Sequence, residues 1–191
     1  MLRLRADPDG GPGIISGPVA VYGDYSPGFR ERIAPGAFSG WGNVELTLQH
    51  EFGLVITDSE SGRLTLTDGP ERLRAEAVLP DSPLGRVTAE LIDRGTLTGL
   101  SAAYAPGTDE PEPDGGHIVR RGHLLAVGVV DRAAFPESRV ILTRAEGKPD
   151  VTWQIPDMSA NRGRGRDRAA TQRALIDGLP NRIGRAPWWL R

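Results

Sequence analysis

Glycine and proline divide this chain into short segments, and this punctuation limits the available folds more than any other feature. The 191 residues include 25 Gly and 16 Pro, and the apolar stretches between them are mostly too short for a typical helix. Strands need fewer residues than helices, so such spacing favours strands joined by turns. We therefore predict a mainly β domain of the α+β class, with only a few helices.

Strand signals recur along the first three quarters of the chain. The predicted strands cover residues 17–25, 44–50, 54–57, 63–67, 72–79, 96–104, 123–130 and 139–143. Within 44–50 the apolar residues alternate with polar ones, and His50 continues the apolar parity. We therefore expect His50 at the inner end of that strand. In 96–104, Ser101 shares one face with Leu97 and Gly99.

Local signals predict one helix and one hairpin. The helix spans 83–94, with Ser82 as N-cap, Pro83 at the first helical position and Gly95 as the stop. The hairpin joins the two strands that flank Asp68-Gly69. Residues 106–117 are acidic and rich in Pro and Gly, which is typical of a loop.

The charge distribution divides the chain in two. Residues 1–146 contain 14 Lys and Arg against 21 Asp and Glu, whereas 147–191 contain 9 against 4. We therefore predict a domain over 1–146 and a basic, flexible tail over 147–191. Gly-Arg repeats and Trp188-Trp189 leave a second interpretation open, in which the tail binds nucleic acid through charge and stacking.

Composition excludes several classes of protein. The chain has no Cys, which removes disulfides, thiolate metal sites and cysteine nucleophiles. It contains neither the apolar core of a signal peptide nor a run near the ~20 apolar residues that span a bilayer. We therefore expect a protein that is neither secreted nor inserted in a membrane.

The histidines limit the candidate chemistry, since there are only three: His50, His117 and His123. A serine nucleophile needs a nearby base to accept its proton. Ser101 lies among small residues that partly match a nucleophile elbow, but a strand and not a helix is predicted to follow it. From the residues alone, Ser101 is either an ordinary inward-facing serine or a nucleophile. His117, His123 and Asp131 lack a metal-ligand spacing, so we expect neither metal nor cofactor.

Several segments occur in the order found in a known family. They are GPVAVY at 17–22, ERIAPGAF at 31–38, LQH at 48–50, GTLTGLS at 95–101, HLLAVGVV at 123–130 and DRAAFPESRV at 131–140. Together they resemble the prohead serine proteases of tailed phages, which are distantly related to the herpesvirus maturation proteases. The resemblance spans roughly residues 15–143.

The resemblance implies both a fold and a function. The implied fold is a closed or nearly closed β-barrel with a few flanking helices. The implied function is a serine endopeptidase of capsid maturation, with Ser101 as nucleophile and His50 as base. The implied substrates are the scaffold, the scaffolding segment of the major capsid protein and the protease itself. It would act in the host cytoplasm inside the assembling prohead, with a homo-oligomer as a further expectation.

One position departs from the family pattern. Where the family usually has L-x-E-V-S, this chain has Leu124-Leu125-Ala126-Val127-Gly128, so Ala126 stands where a third catalytic residue is expected. Asp131 at the strand end is either a displaced third member or a turn residue that pairs with Arg132, and without a third member the site would be a Ser-His dyad. Arg132 is also a candidate supporting residue for the oxyanion. Two alternative functions stay open: a weakened or inactive capsid-assembly component, and a nucleic-acid-binding protein acting through the tail.

Overall fold

The computed structural model describes residues 11–26, 28–38 and 40–144, which form ten strands and one α-helix. The elements are β1 (Gly13–Val21), β2 (Tyr25–Ser26), β3 (Glu31–Ile33), β4 (Glu45–Leu48), β5 (Val55–Asp58), β6 (Leu64–Asp68), β7 (Arg72–Leu79), α1 (Pro83–Asp93), β8 (Gly99–Pro111), β9 (His117–Val130) and β10 (Ile141–Thr143). The predicted mainly β class with few helices is thus confirmed. The predicted tail, 147–191, lies outside the described residues.

The strands form two sheets. The first has the order β10-β1-β7-β6, and all of its pairs are antiparallel. The second has the order β2-β3-β9-β4-β5, and β8 is also paired to β9. Strand β9 is the centre of this second sheet, because it pairs with β8 along one edge and with β3 and β4 along the other.

The locally signalled elements form as predicted. The Ser82 hydroxyl accepts a hydrogen bond from the Gly85 amide at 3.1 Å, and α1 begins at the next residue, Pro83. Strands β6 and β7 pair in antiparallel register from Asp68↔Leu73. Both elements depend on contacts within a few residues along the chain, so sequence patterns suffice to locate them.

Two predictions were wrong in detail. The acidic segment does not form a loop from 106 onwards, because β8 continues to Pro111 and β9 begins at His117. Register shifts at Pro106/Thr108 and Thr108/Asp109 accommodate the extra residues, and Arg120 pairs with Glu110 at 2.7 Å across this hairpin. His50 does not continue β4, which ends at Leu48.

The second sheet separates a core face from the face that carries the candidate site. Leu46, Leu100, Val127 and Val129 are fully buried members of one hydrophobic core. The residues of opposite parity on the same strands point to the other face of the sheet. Among the described residues, no helix is long and apolar enough to cross a membrane.

Candidate active site

Three strands align one residue each across the centre of the second sheet. Gly128 on β9 pairs with Ser101 on β8 and with Thr47 on β4. Residues paired in register project their side chains to the same face of a sheet. Thr47, Gly128 and Ser101 therefore form a row on the face opposite the core, with the glycine in the middle.

His50 reaches this row from the turn that follows β4. Gln49 and His50 have φ angles of 53° and 59°, and the Glu51 amide donates to the Leu48 carbonyl at 2.9 Å. Two successive positive φ angles are the signature of a type I′ turn. This conformation costs non-glycine residues about 1 kcal/mol or more each, so it persists only because the surrounding contacts impose it. The turn carries the imidazole away from the line of β4.

The imidazole of His50 lies directly over Gly128. A methyl group built on the Gly128 Cα would come within 2.6 Å of His50 Cε1, 2.7 Å of Nδ1 and 2.9 Å of Nε2. Because directly opposed Cβ positions are about 5 Å apart, the Ser101 side chain begins one strand spacing from the ring. The structure thus brings His50 and Ser101, fifty-one positions apart, together on one face.

The surroundings of the imidazole favour its neutral form. Burial lowers the pKa of His50 below its usual 6.5, because the charged form loses hydration. Its Nδ1 atom is buried and has no hydrogen-bond partner among the described residues. At neutral pH the ring is therefore uncharged and able to accept a proton.

Ser101 is a buried residue, with an exposed fraction of 6%. Within the described part of the chain no group forms a hydrogen bond with its hydroxyl. A hydroxyl committed to a structural hydrogen bond would resist transferring its proton, and this one has no such bond to break. The position of Ser101 near a neutral imidazole and the lack of a competing hydrogen bond are both expected of a serine nucleophile.

The expected third member is absent from the place where the family pattern puts it. Ala126 lies two residues before Gly128 on the same face of β9 and is fully buried. Asp131 follows the end of β9 and is exposed. Its amide donates to Gln49 Oε1 at 3.3 Å and its carbonyl accepts from Thr98 Oγ1 at 2.8 Å. None of its described contacts joins its carboxylate to the imidazole.

A cavity of about 420 Å³ opens between the start of β8 and the loop of residues 131–139, and Ser101 itself is not among its lining residues. Gly99, two residues before Ser101 and on the same face, lines it together with Arg132 and Ala133. The loop packs tightly here, since a methyl group on Gly99 would lie 2.7 Å from Ala133 Cβ. The Ala133 amide donates no hydrogen bond within the described part of the chain.

The other histidines lie away from this row. His117 pairs with the Glu31 carboxylate at 3.5 Å, and His123 is exposed on β9. The described residues contain no group of three or more His, Asp or Glu that could hold a metal ion.

The family model described as caudovirus prohead serine protease matches residues 2–150. This chain belongs to that family. No curated protein and no solved structure gives a significant match. Membership makes the chain a serine-protease relative from the capsid-maturation step of tailed phages.

Sequence reasoning missed two residues of the candidate site. Thr47 was placed only on the polar side of β4, and Gly128 only within an apolar strand. The glycine did carry a signal, because a glycine inside a strand often marks the close approach of another group. Here that group is the imidazole of His50.

Proposed function

We propose that this protein is a serine endopeptidase in which Ser101 is the nucleophile and His50 the base. The observation that supports this most directly is the placement of the imidazole over Gly128, the residue paired in register with Ser101. The lowered pKa of His50 adds to it, since a base must be unprotonated at the working pH.

The mechanism is acyl transfer in two steps. His50 accepts the hydroxyl proton as Ser101 Oγ attacks the carbonyl carbon of the scissile peptide bond. The resulting imidazolium returns that proton to the leaving amine nitrogen as the C–N bond breaks, which leaves an acyl-enzyme. His50 then deprotonates a water molecule that attacks the ester carbonyl, and Ser101 recovers its proton as it leaves.

The negative charge on the carbonyl oxygen needs hydrogen-bond donors. We assign the Ala133 amide, with Arg132 in support, because both line the cavity that reaches Gly99, two residues before Ser101 on β8, and neither has a described hydrogen-bond partner. A substrate side chain next to the scissile bond would occupy this cavity, which lies within the usual volume range of ligand pockets.

The role of Asp131 as third member stays a prediction. It requires the carboxylate to turn toward the imidazole, whereas its described contacts are made by its backbone. The proposed machinery therefore consists of Ser101 and His50, with Asp131 outside it.

For the biological setting we propose scaffold protein, the scaffolding segment of the major capsid protein and the protease itself as substrates. The reaction would take place in the host cytoplasm inside the assembling prohead, where we propose that the protein acts as a homo-oligomer. We also propose that the two sheets approach a closed barrel. Isolated bridges between Tyr22 and Ile33 and between Gly99 and Arg139 support that proposal.

The test is co-expression with the capsid protein of the same phage, read as trimming of that protein. Labelling of the purified protease by a fluorophosphonate probe gives a readout that needs no known substrate. Ser101→Ala should abolish both signals, whereas Ser61→Ala, which alters an exposed serine, should preserve both. Normal trimming by the Ser101→Ala variant would refute the proposal.

One specific observation favours a second function, that of an assembly component with little activity. Ala126 stands at the acid position, and Nδ1 of His50 has no described partner. Assembly of proheads with untrimmed capsid protein, dependent on the presence but not the chemistry of this chain, would support it. Under that function, Ser101→Ala would assemble as well as the wild type.

A further inference from the structure

The row across the second sheet contains a third polar side chain that the Ser101 and His50 mechanism leaves unused. Thr47 pairs in register with Gly128 on the edge of β9 opposite to Ser101. The imidazole lies over Gly128, so it has Thr47 on one side and Ser101 on the other. Neighbouring strands are about 4.8 Å apart, so the backbones of Thr47 and Ser101 each lie one strand spacing from Gly128, which the ring covers.

Two buried polar atoms in this row lack partners. They are His50 Nδ1 and Thr47 Oγ1, and neither forms a hydrogen bond with any described residue. Thr47 is fully buried, with an exposed fraction of 0%. Buried polar groups in proteins are nearly always hydrogen-bonded. The imidazole lies over Gly128, and Thr47 is the residue paired with that glycine on β4. Nδ1 is within 2.7 Å of the point where a Gly128 methyl group would be.

We propose that Thr47 is the positioning residue for His50 and takes the place that Ala126 leaves empty. This inference rests on the proposed function. The Thr47 hydroxyl oxygen accepts a hydrogen bond from the protonated Nδ1, which leaves the Nε2 lone pair to receive the Ser101 proton. A rotation about the Thr47 χ1 bond or a small tilt of the ring closes the remaining gap.

The chemistry of this arrangement differs from that of a carboxylate. A hydroxyl holds the ring in one tautomer and orientation, but it carries no charge to stabilise the imidazolium. No proton leaves Nδ1 during the reaction, so Thr47 needs only to accept. The expected result is a protease that is correctly oriented yet slower than relatives with an acid at the third position.

Glu45 is the main rival for this role. It pairs in register with Ala126 and therefore lies on the same face, half-buried. Its partner Ala126 lies two residues from Gly128 along β9, whereas Thr47 is paired with Gly128 itself. None of the described contacts of Glu45 reaches the imidazole. Its substitution consequently serves as an arm of the test.

The kinetic test compares Thr47→Val, which keeps the shape but removes the hydroxyl, with Thr47→Ser, which keeps the hydroxyl. Thr47→Val should lower kcat roughly tenfold with little change in KM, as expected for one lost hydrogen bond. Thr47→Ser should stay within about twofold of the wild type. The matched control is Thr65→Val, on the exposed side of β6. Equal losses in both Thr47 variants, or a loss in Glu45→Gln with none in Thr47→Val, would overturn the proposal.

A spectroscopic test separates this inference from the proposed function. Nitrogen NMR of histidine-labelled wild-type protein reports which ring nitrogen of His50 carries the proton, without any turnover. We expect the Nδ1-protonated tautomer, and the Nε2-protonated form would refute the role of Thr47 even in an active enzyme. Conversely, the Nδ1-protonated form without fluorophosphonate labelling of Ser101 would support the positioning contact and contradict the protease.

Discussion

A single methyl group on Gly128 tests the position of the imidazole more directly than removal of the imidazole itself. In Gly128→Ala the new Cβ would lie 2.6 Å from His50 Cε1 and 2.7 Å from Nδ1. Non-bonded carbon atoms prefer separations of about 3.5–4.0 Å, so the ring must move by about 1 Å. A misplacement of that size in a catalytic group can cost about 100-fold in rate.

We expect kcat/KM for capsid-protein cleavage, and the rate of fluorophosphonate labelling, to fall about 100-fold in Gly128→Ala. Overpacking should lower the free energy of unfolding by about 1–3 kcal/mol, which urea denaturation measures separately. Gly42→Ala is the matched control, because nothing lies within 4 Å of its added methyl group. Retention of activity within twofold in folded Gly128→Ala protein would mean that the imidazole over Gly128 is not the base.

The other predictions concern pH and a buried hydrogen bond. Because burial lowers the pKa of His50, the midpoint of the acid-side fall in kcat/KM should lie below pH 6.5. In the unfolded chain His50 binds its proton at a higher pH than in the folded protein. The free energy of unfolding should therefore decline as the pH drops below about 6.5. His50→Gln should reduce that decline in urea titrations. Tyr104→Phe removes the hydroxyl that donates to the buried Glu31 carboxylate at 2.7 Å, which should cost about 2 kcal/mol. In the control Tyr25→Phe, the lost hydroxyl has no described partner, so the free energy of unfolding should not change. Equal losses of stability in Tyr104→Phe and Tyr25→Phe would refute this prediction.

The sequence predicted some of this structure correctly for identifiable reasons. Helix α1 was predicted because Ser82, Pro83 and Gly95 act on the backbone within a single turn. The buried character of β9 was predicted because a strand covered on both faces needs an apolar run. The acidic segment was misjudged, since composition favoured a loop while cross-strand pairing extended β8 to Pro111.

Local sequence patterns also failed to predict the position of His50 in the candidate site. Alternation along β4 predicts the side of the sheet only while the strand continues, and β4 ends at Leu48. The positive φ angles of Gln49 and His50 have no signal in residue type, because neither is glycine. Packing against β9 imposes them, including the hydrogen bond from the Gln49 amide to the Val129 carbonyl at 3.0 Å.

The order of residues along the chain determined the strand-rich class, the capped helix, the family and the two residues proposed for catalysis. All of these depend on local periodicity or on motifs that are read in linear order. The row of Thr47, Gly128 and Ser101 was decided only by the tertiary structure. Register between β4, β9 and β8 is set by the packing of side chains that are distant in sequence, and no local pattern encodes which three residues will meet.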